Sequence, residues 1–116
     1  QNLETNEIRP IGADDEAGLP LGIYPDVEYT SSTLPIPPGS RILIYSDGLT
    51  DALPPQGSAN SENAFGTQGL MRAMQEARDM PLEDTLNYLF AQTSAYTGGA
   101  GRHDDTSVVL LERFAQ

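Results

Sequence analysis

Aspartates at the ends of two predicted strands are the residues of this sequence best suited to chemistry. Asp47 and Gly48 directly follow one predicted strand, and Asp104 and Asp105 directly precede another. Converging carboxylates repel one another unless a cation separates them, and Mg²⁺ and Mn²⁺ prefer oxygen ligands. The pattern makes Asp47 and Asp104 candidate metal ligands, although an Asp-Gly pair after a strand, taken alone, fits a turn better.

Whether these carboxylates meet depends on two predicted strands. Residues 41–46 form the clearest strand, and residues 106–114 form a closing strand. Their apolar residues are consecutive, which predicts that both faces of each strand are covered. If the strands are antiparallel neighbours, the end of one lies beside the start of the other, and Asp47 and Asp104 reach the same rim of the sheet.

Two helices are predicted between these strands. The first covers residues 67–78, and the second runs from Pro81, which is pre-organised for a first helical turn, to Gly98. We interpret their apolar residues at helical spacing as core: Leu70, Ala73, Met74 and Ala77 in the first helix, and Leu82, Leu86, Leu89, Phe90 and Thr93 in the second.

The front of the chain predicts weaker elements. Residues 8–11 and 26–34 read as strands, and proline and glycine at 35–39 end the latter with a turn. Residues 54–63 are predicted to be a loop. The fold class is therefore α+β, with an antiparallel sheet that carries helices on one side.

Composition excludes several classes of function. Seventeen acidic residues against six basic ones give a net charge of −11, which disfavours nucleic acid and anionic membranes as partners. No apolar run approaches the roughly 20 residues that span a bilayer. The sequence has no cysteine, which excludes disulfides, thiolate zinc sites and a cysteine nucleophile, and is compatible with a cytoplasmic location.

Other polar residues offer weaker chemistry. His103, the only histidine, fits a solvated loop residue better than a proton donor to a leaving serine oxygen. Arg102 has no assigned role, and the hydroxyls of Ser46 and Thr50 have no base set against them. Residues 47–51 lack the alternating oxygen ligands and terminal glutamate of an EF-hand loop.

The order of these motifs resembles one protein family. Residues 36–52 resemble the "PGD-x-LLLYTDGLTEA" segment of the PPM (type-2C) phosphatases, in the bacterial sigma-regulatory branch that includes stage II sporulation E and the RsbU proteins. Residues 104–110 resemble the terminal "DDxTxVVL" motif of that branch, residues 65–66 its "FG…L" element, and residues 18–22 its "GxPLG" turn. Together they cover residues 18–112.

The resemblance implies a metal-dependent enzyme. Asp47 and Asp104 match metal ligands of the family, while Gly48 and Asp105 would lie next to the ligands without binding the metal. The complete family site holds two Mn²⁺ or Mg²⁺ ions, and a water between them attacks the phosphorus. Paired metals lower the pKa of that water and hold the attacking and leaving oxygens.

The resemblance also implies that residues 1–116 are the C-terminal portion of a single phosphatase domain, part of an antiparallel β-sandwich flanked by helices. The family's "DxxGHG"-type motif supplies a bridging aspartate, and nothing before Asp47 matches it; residues 14–18 are acidic but lack the pattern. We expect this chain alone to hold at most half a metal site, to be inactive, and to expose a sheet edge that a homodimer or another chain would cover.

The function implied is hydrolysis of phosphoserine or phosphothreonine on a regulatory protein of the anti-anti-sigma (STAS) type in bacterial signal transduction, with a sensor domain upstream. The alternative is a truncated or degenerate phosphatase module that binds a partner without catalysis. An upstream Asp-Gly motif in the encoded protein would favour the enzyme.

Overall fold

The computed structural model describes residues 1–11, 21–54, 64–99 and 105–115. Within these ranges the chain forms two strands and three helices, with the helices between the strands in sequence. In chain order they are β1 (Ser40–Tyr45), α1 (Asp47–Thr50), α2 (Gly66–Glu76), α3 (Leu82–Tyr96) and β2 (Val108–Arg113). The predicted α+β class is confirmed, and both long helices lie within one or two residues of their predicted bounds.

The two strands form an antiparallel pair. Ser40 lies opposite Arg113 at one end of the sheet, and Tyr45 lies opposite Val108 at the other. This confirms the pairing on which the predicted convergence of carboxylates depends, because the end of β1 and the start of β2 lie at the same rim.

The helices cover one face of this sheet. Their apolar stripes have the helical spacing expected from the sequence, and they bury a small core. That core consists of Leu49, Leu70, Ala73, Met74 and Leu89, and Leu43, Val108 and Leu110 of the strands pack against it. Because directly opposed residues of an antiparallel pair share a face, Leu43 and Leu110 form the centre of the inner sheet surface.

The opposite face of the sheet is exposed, contrary to the prediction that both faces are covered. Ile44 is 57% exposed, and Val109 and Leu111 are each 50% exposed. The reason is that the long helices pack on the inner face only. The consecutive apolar residues supply two apolar faces, but among the described residues no helix or strand covers the outer one.

The predicted front strands are absent from the described residues. Residues 8–11 and 26–34 have no strand structure, which corrects the prediction made from their alternation. A strand requires a partner, and the outer edge of β1 is instead met by the start of the chain: Asn2 forms an isolated bridge with Ser40, and the Arg41 N–H donates to the Gln1 carbonyl at 2.9 Å. The sheet edge expected to be unpaired is therefore partly covered.

A buried arginine ties the sheet to the helices. Arg41 is 4% exposed, and its Nε donates to Glu112 on the opposite strand at 2.5 Å. Its Nη1 donates to the Ala77 carbonyl and the Thr85 hydroxyl, both at 3.1 Å, and its Nη2 donates to the Met80 carbonyl at 2.5 Å. One guanidinium thus connects β1, β2 and the turn between α2 and α3.

No helix in the described ranges combines the length and the apolar character that a membrane crossing requires.

Candidate metal centre

Asp47 lies where β1 changes directly into a helix. Ser46 is the only residue between Tyr45 and Asp47, and its backbone is extended, with φ −93° and ψ 164°. The Asp51 N–H donates to the Asp47 carbonyl at 2.8 Å and closes the single turn of α1. This junction holds Asp47 at the rim of the sheet with an exposed side chain.

Gly48 allows the start of β2 to approach this junction closely. It is buried, and a Cβ placed on it would overlap the carbonyl oxygen of Asp105 and lie 2.6 Å from Oγ1 of Thr106. Any larger residue would therefore push the two chain segments apart. A glycine directly after Asp47 is therefore required for residues 105–106 to lie this close to the turn that carries Asp47.

Ser46 makes the second contact between the two segments. Its hydroxyl accepts a hydrogen bond from the Ser107 N–H at 2.8 Å and donates to the Asp105 carbonyl over a longer 3.4 Å. The Ser46 N–H also donates to the Ser107 carbonyl at 2.9 Å. Residues on both sides of Asp47 thus contact the main chain of Asp105.

The sequence predictions fare differently at this rim. Asp47, Gly48 and Asp105 are brought together, while Asp104, the second predicted ligand, lies outside the described residues together with Arg102 and His103. Within the described ranges, no group of three or more histidine, cysteine, aspartate or glutamate side chains is arranged to hold a metal. The exposed carboxylate of Asp47 has the oxygen chemistry that Mg²⁺ and Mn²⁺ prefer, so it fits part of such a site.

The sequence matches the family described as stage II sporulation protein E (SpoIIE) over residues 8–114. The chain belongs to the SpoIIE family. This is a PPM-type phosphatase family, so the resemblance inferred from the motifs is confirmed. The match extends over both strands, all three helices and the rim of the SpoIIE-family chain at which Asp47 and Asp105 meet.

A curated relative shows a more distant similarity. This SpoIIE-family chain is 27% identical over 96 residues to Protein IcfG of Synechocystis sp. (strain ATCC 27184 / PCC 6803 / Kazusa). The alignment covers 83% of this chain and 14% of that protein, so the chain spans a small part of the relative it matches. No solved structure matches the chain.

Sequence reasoning missed two residues that build this region. The sequence offers Ser46 only as a nucleophile without a base, whereas its hydroxyl binds the main chain of Asp105 and Ser107, just before β2. For Arg41 the sequence predicts only a place in a strand. An arginine in an otherwise apolar strand, with a glutamate among the apolar residues of the closing strand, was the available signal for a buried pair.

Proposed function

We propose that this chain is part of a metal-dependent protein phosphatase that hydrolyses phosphoserine or phosphothreonine on a regulatory protein. Membership of a PPM-type phosphatase family supports the reaction class. The observation that carries the proposal for these residues is the meeting of Asp47 and Asp105 at one rim, with Gly48 and Ser46 in contact with the Asp105 main chain.

Asp47 and Asp104 are the proposed metal ligands, and Asp105 and Gly48 are proposed to support them without binding the ion. Asp104 directly precedes Asp105 in the sequence, and the main chain of Asp105 contacts Ser46 beside Asp47. When bound, Mn²⁺ or Mg²⁺ would lower the pKa of a water and neutralise phosphate charge. The residues of this chain contribute by holding two acidic segments together despite their mutual repulsion.

The proposal includes the organisation of the complete protein. Residues 1–116 form the C-terminal portion of a phosphatase domain, and the bridging aspartate and the strands that complete a β-sandwich come from outside this sequence. The exposed outer face of the β1–β2 sheet supports a covering layer, since Ile44, Val109 and Leu111 are half exposed or more. A sensor domain upstream, a STAS-type substrate and a cytoplasmic location complete the proposal.

Replacing Asp47 by asparagine tests the metal site. The Asp47→Asn change removes a negative ligand while preserving its shape, so we expect the Kd for Mn²⁺ of the full-length protein to rise by more than about 100-fold, because even residues that only orient ligands contribute 10–100-fold. Isothermal titration calorimetry measures this directly. Asp79→Asn is the control: it removes a carboxylate that is 90% exposed in the turn between α2 and α3, at the Arg41 end of the sheet, and should bind Mn²⁺ like the wild type.

The substrate is tested separately from the metal. We expect the full-length protein to release phosphate from a STAS-type protein phosphorylated on serine, only when Mn²⁺ or Mg²⁺ is present. The readout is phosphate release, with the same protein phosphorylated on tyrosine as the control. Binding of the phosphorylated protein without phosphate release, in saturating metal, would instead identify a non-catalytic phosphatase module.

A further inference from the structure

The junction between β1 and α1 creates a conflict over one carbonyl group. The strand register, continued by one residue, places Ser46 opposite Ser107, and the Ser46 N–H donates to the Ser107 carbonyl at 2.9 Å. A regular antiparallel pair of this kind would also exchange a bond from the Ser107 N–H to the Ser46 carbonyl. That carbonyl instead accepts from the Leu49 N–H at 3.2 Å, where α1 begins.

The Ser46 hydroxyl takes the place of the carbonyl. It accepts the Ser107 N–H at 2.8 Å, so this backbone donor keeps a partner although the strand has ended. A serine at a helix N-cap ordinarily bonds to the N–H groups of the first turn, but Ser46 makes no such side-chain cap bond. Its hydroxyl is committed to β2 instead, and its second contact is the Asp105 carbonyl.

We propose that Ser46 is a positioning residue for the metal centre, because its hydroxyl fixes the main chain of Asp105 and Ser107 against the turn that carries Asp47. This inference rests on the proposed metal-dependent function. The hydroxyl lets the chain leave the sheet at Asp47 while the opposite strand stays in place. Without it, the segment that leads from Asp105 into β2 loses the hydrogen bonds that the Ser46 hydroxyl makes to it at the rim.

The test compares side chains that differ in the hydroxyl alone. Threonine and valine have nearly the same shape, and both suit the extended backbone at position 46. Mn²⁺ binding to the full-length protein is measured by calorimetry, well below the unfolding temperature, for the wild type, Ser46→Ala, Ser46→Thr and Ser46→Val. Ser40→Ala is the matched control, since Ser40 lies at the opposite end of the same strand, about 20 Å away.

We expect the Kd for Mn²⁺ to rise by about 10-fold or more in Ser46→Ala and Ser46→Val, the range seen when groups that orient metal ligands are removed. Ser46→Thr and Ser40→Ala should bind like the wild type. Recovery of Mn²⁺ affinity in Ser46→Thr distinguishes a positioning role of the hydroxyl from a general loss of packing. If Ser46→Ala does not fold, the comparison of Ser46→Thr with Ser46→Val provides the test. Equal affinity of the threonine and valine variants, with a wild type that binds Mn²⁺, would overturn the role of Ser46 alone. A wild type that does not bind Mn²⁺ would overturn the proposed function and this inference together.

Discussion

Replacing Gly48 by alanine is expected to destabilise the protein and to disrupt the metal centre. Two effects oppose each other at this position. Alanine improves helix propensity by about 1 kcal/mol over glycine. The added Cβ, however, overlaps the Asp105 carbonyl and lies 2.6 Å from Thr106 Oγ1. Overpacking costs about 1–3 kcal/mol, and here the obstacle is main chain, which yields less readily than a side chain.

We therefore expect a net loss of about 2 kcal/mol in the free energy of unfolding, measured by urea denaturation, and a weaker affinity for Mn²⁺ measured by calorimetry. Gly69→Ala is the comparison, because Gly69 is also helical and the atoms nearest to its added Cβ belong to the Phe65 ring, at 2.8 Å. That ring packs on Tyr96, but as a side chain it yields more readily than the main chain that Gly48→Ala would meet. Gly69→Ala should remain within about 1 kcal/mol of the wild type. A Gly48→Ala protein as stable as Gly69→Ala would contradict the close approach.

Removing the Arg41 guanidinium is expected to cause the largest loss of stability. Arg41→Met keeps an apolar stem of similar length but leaves the Glu112 carboxylate, which is 10% exposed, without its cation. Breaking a buried pair by removing one partner costs about 3–5 kcal/mol. The carbonyls of Ala77 and Met80 also lose the hydrogen bonds that Arg41 donates, while the Thr85 hydroxyl still reaches both at 3.4 Å. We expect a loss of that order in the free energy of unfolding, measured by urea denaturation.

The double variant Arg41→Met with Glu112→Leu gives the control. Well-packed apolar residues often replace a buried ion pair with little loss, so the double variant should be more stable than Arg41→Met alone. Arg41→Lys should be intermediate, because a lysine keeps the charge but cannot reach several acceptors with one planar fork. If Arg41→Met and the double variant were equally unstable, the bonds to the helix turn, and not the pair with Glu112, would dominate.

The elements of this fold that rest on local pattern could be predicted from the sequence. The stripe at Leu70, Ala73 and Met74 defines a helix and its buried face, and both central strands were found within about two residues of their ends. The prediction of a strand at residues 26–34 was wrong, because alternation shows that a segment can form a strand without showing that a partner strand is available. The prediction that the outer sheet face is covered was wrong for a related reason. Consecutive apolar residues favour burial of both faces without specifying which segment buries them.

The rim was predicted in outline only. Antiparallel pairing of the two apolar runs was enough to bring Asp47 toward the start of β2, and the motif order pointed to the SpoIIE family. The contacts of Ser46 were out of reach, because they depend on where the strand stops and the helix begins. A shift of that boundary by one residue gives the serine carbonyl a different partner, and sequence patterns do not define boundaries to one residue.

The apolar character of both sheet faces also bears on how the chain avoids misfolding. In most sheets, a register shift of one residue exposes the apolar face of the strand to water, and this free-energy cost disfavours the wrong register. This penalty is absent for Ile42 to Tyr45 and Val108 to Leu111, because both faces of these strands are apolar. The native register is instead distinguished from shifted ones by polar contacts near the two ends of the sheet. These are Arg41 with Glu112 and Ser46 with Ser107, and only the native register forms both. These two contacts, one near each end of the sheet, thus favour the native register over slipped registers during folding.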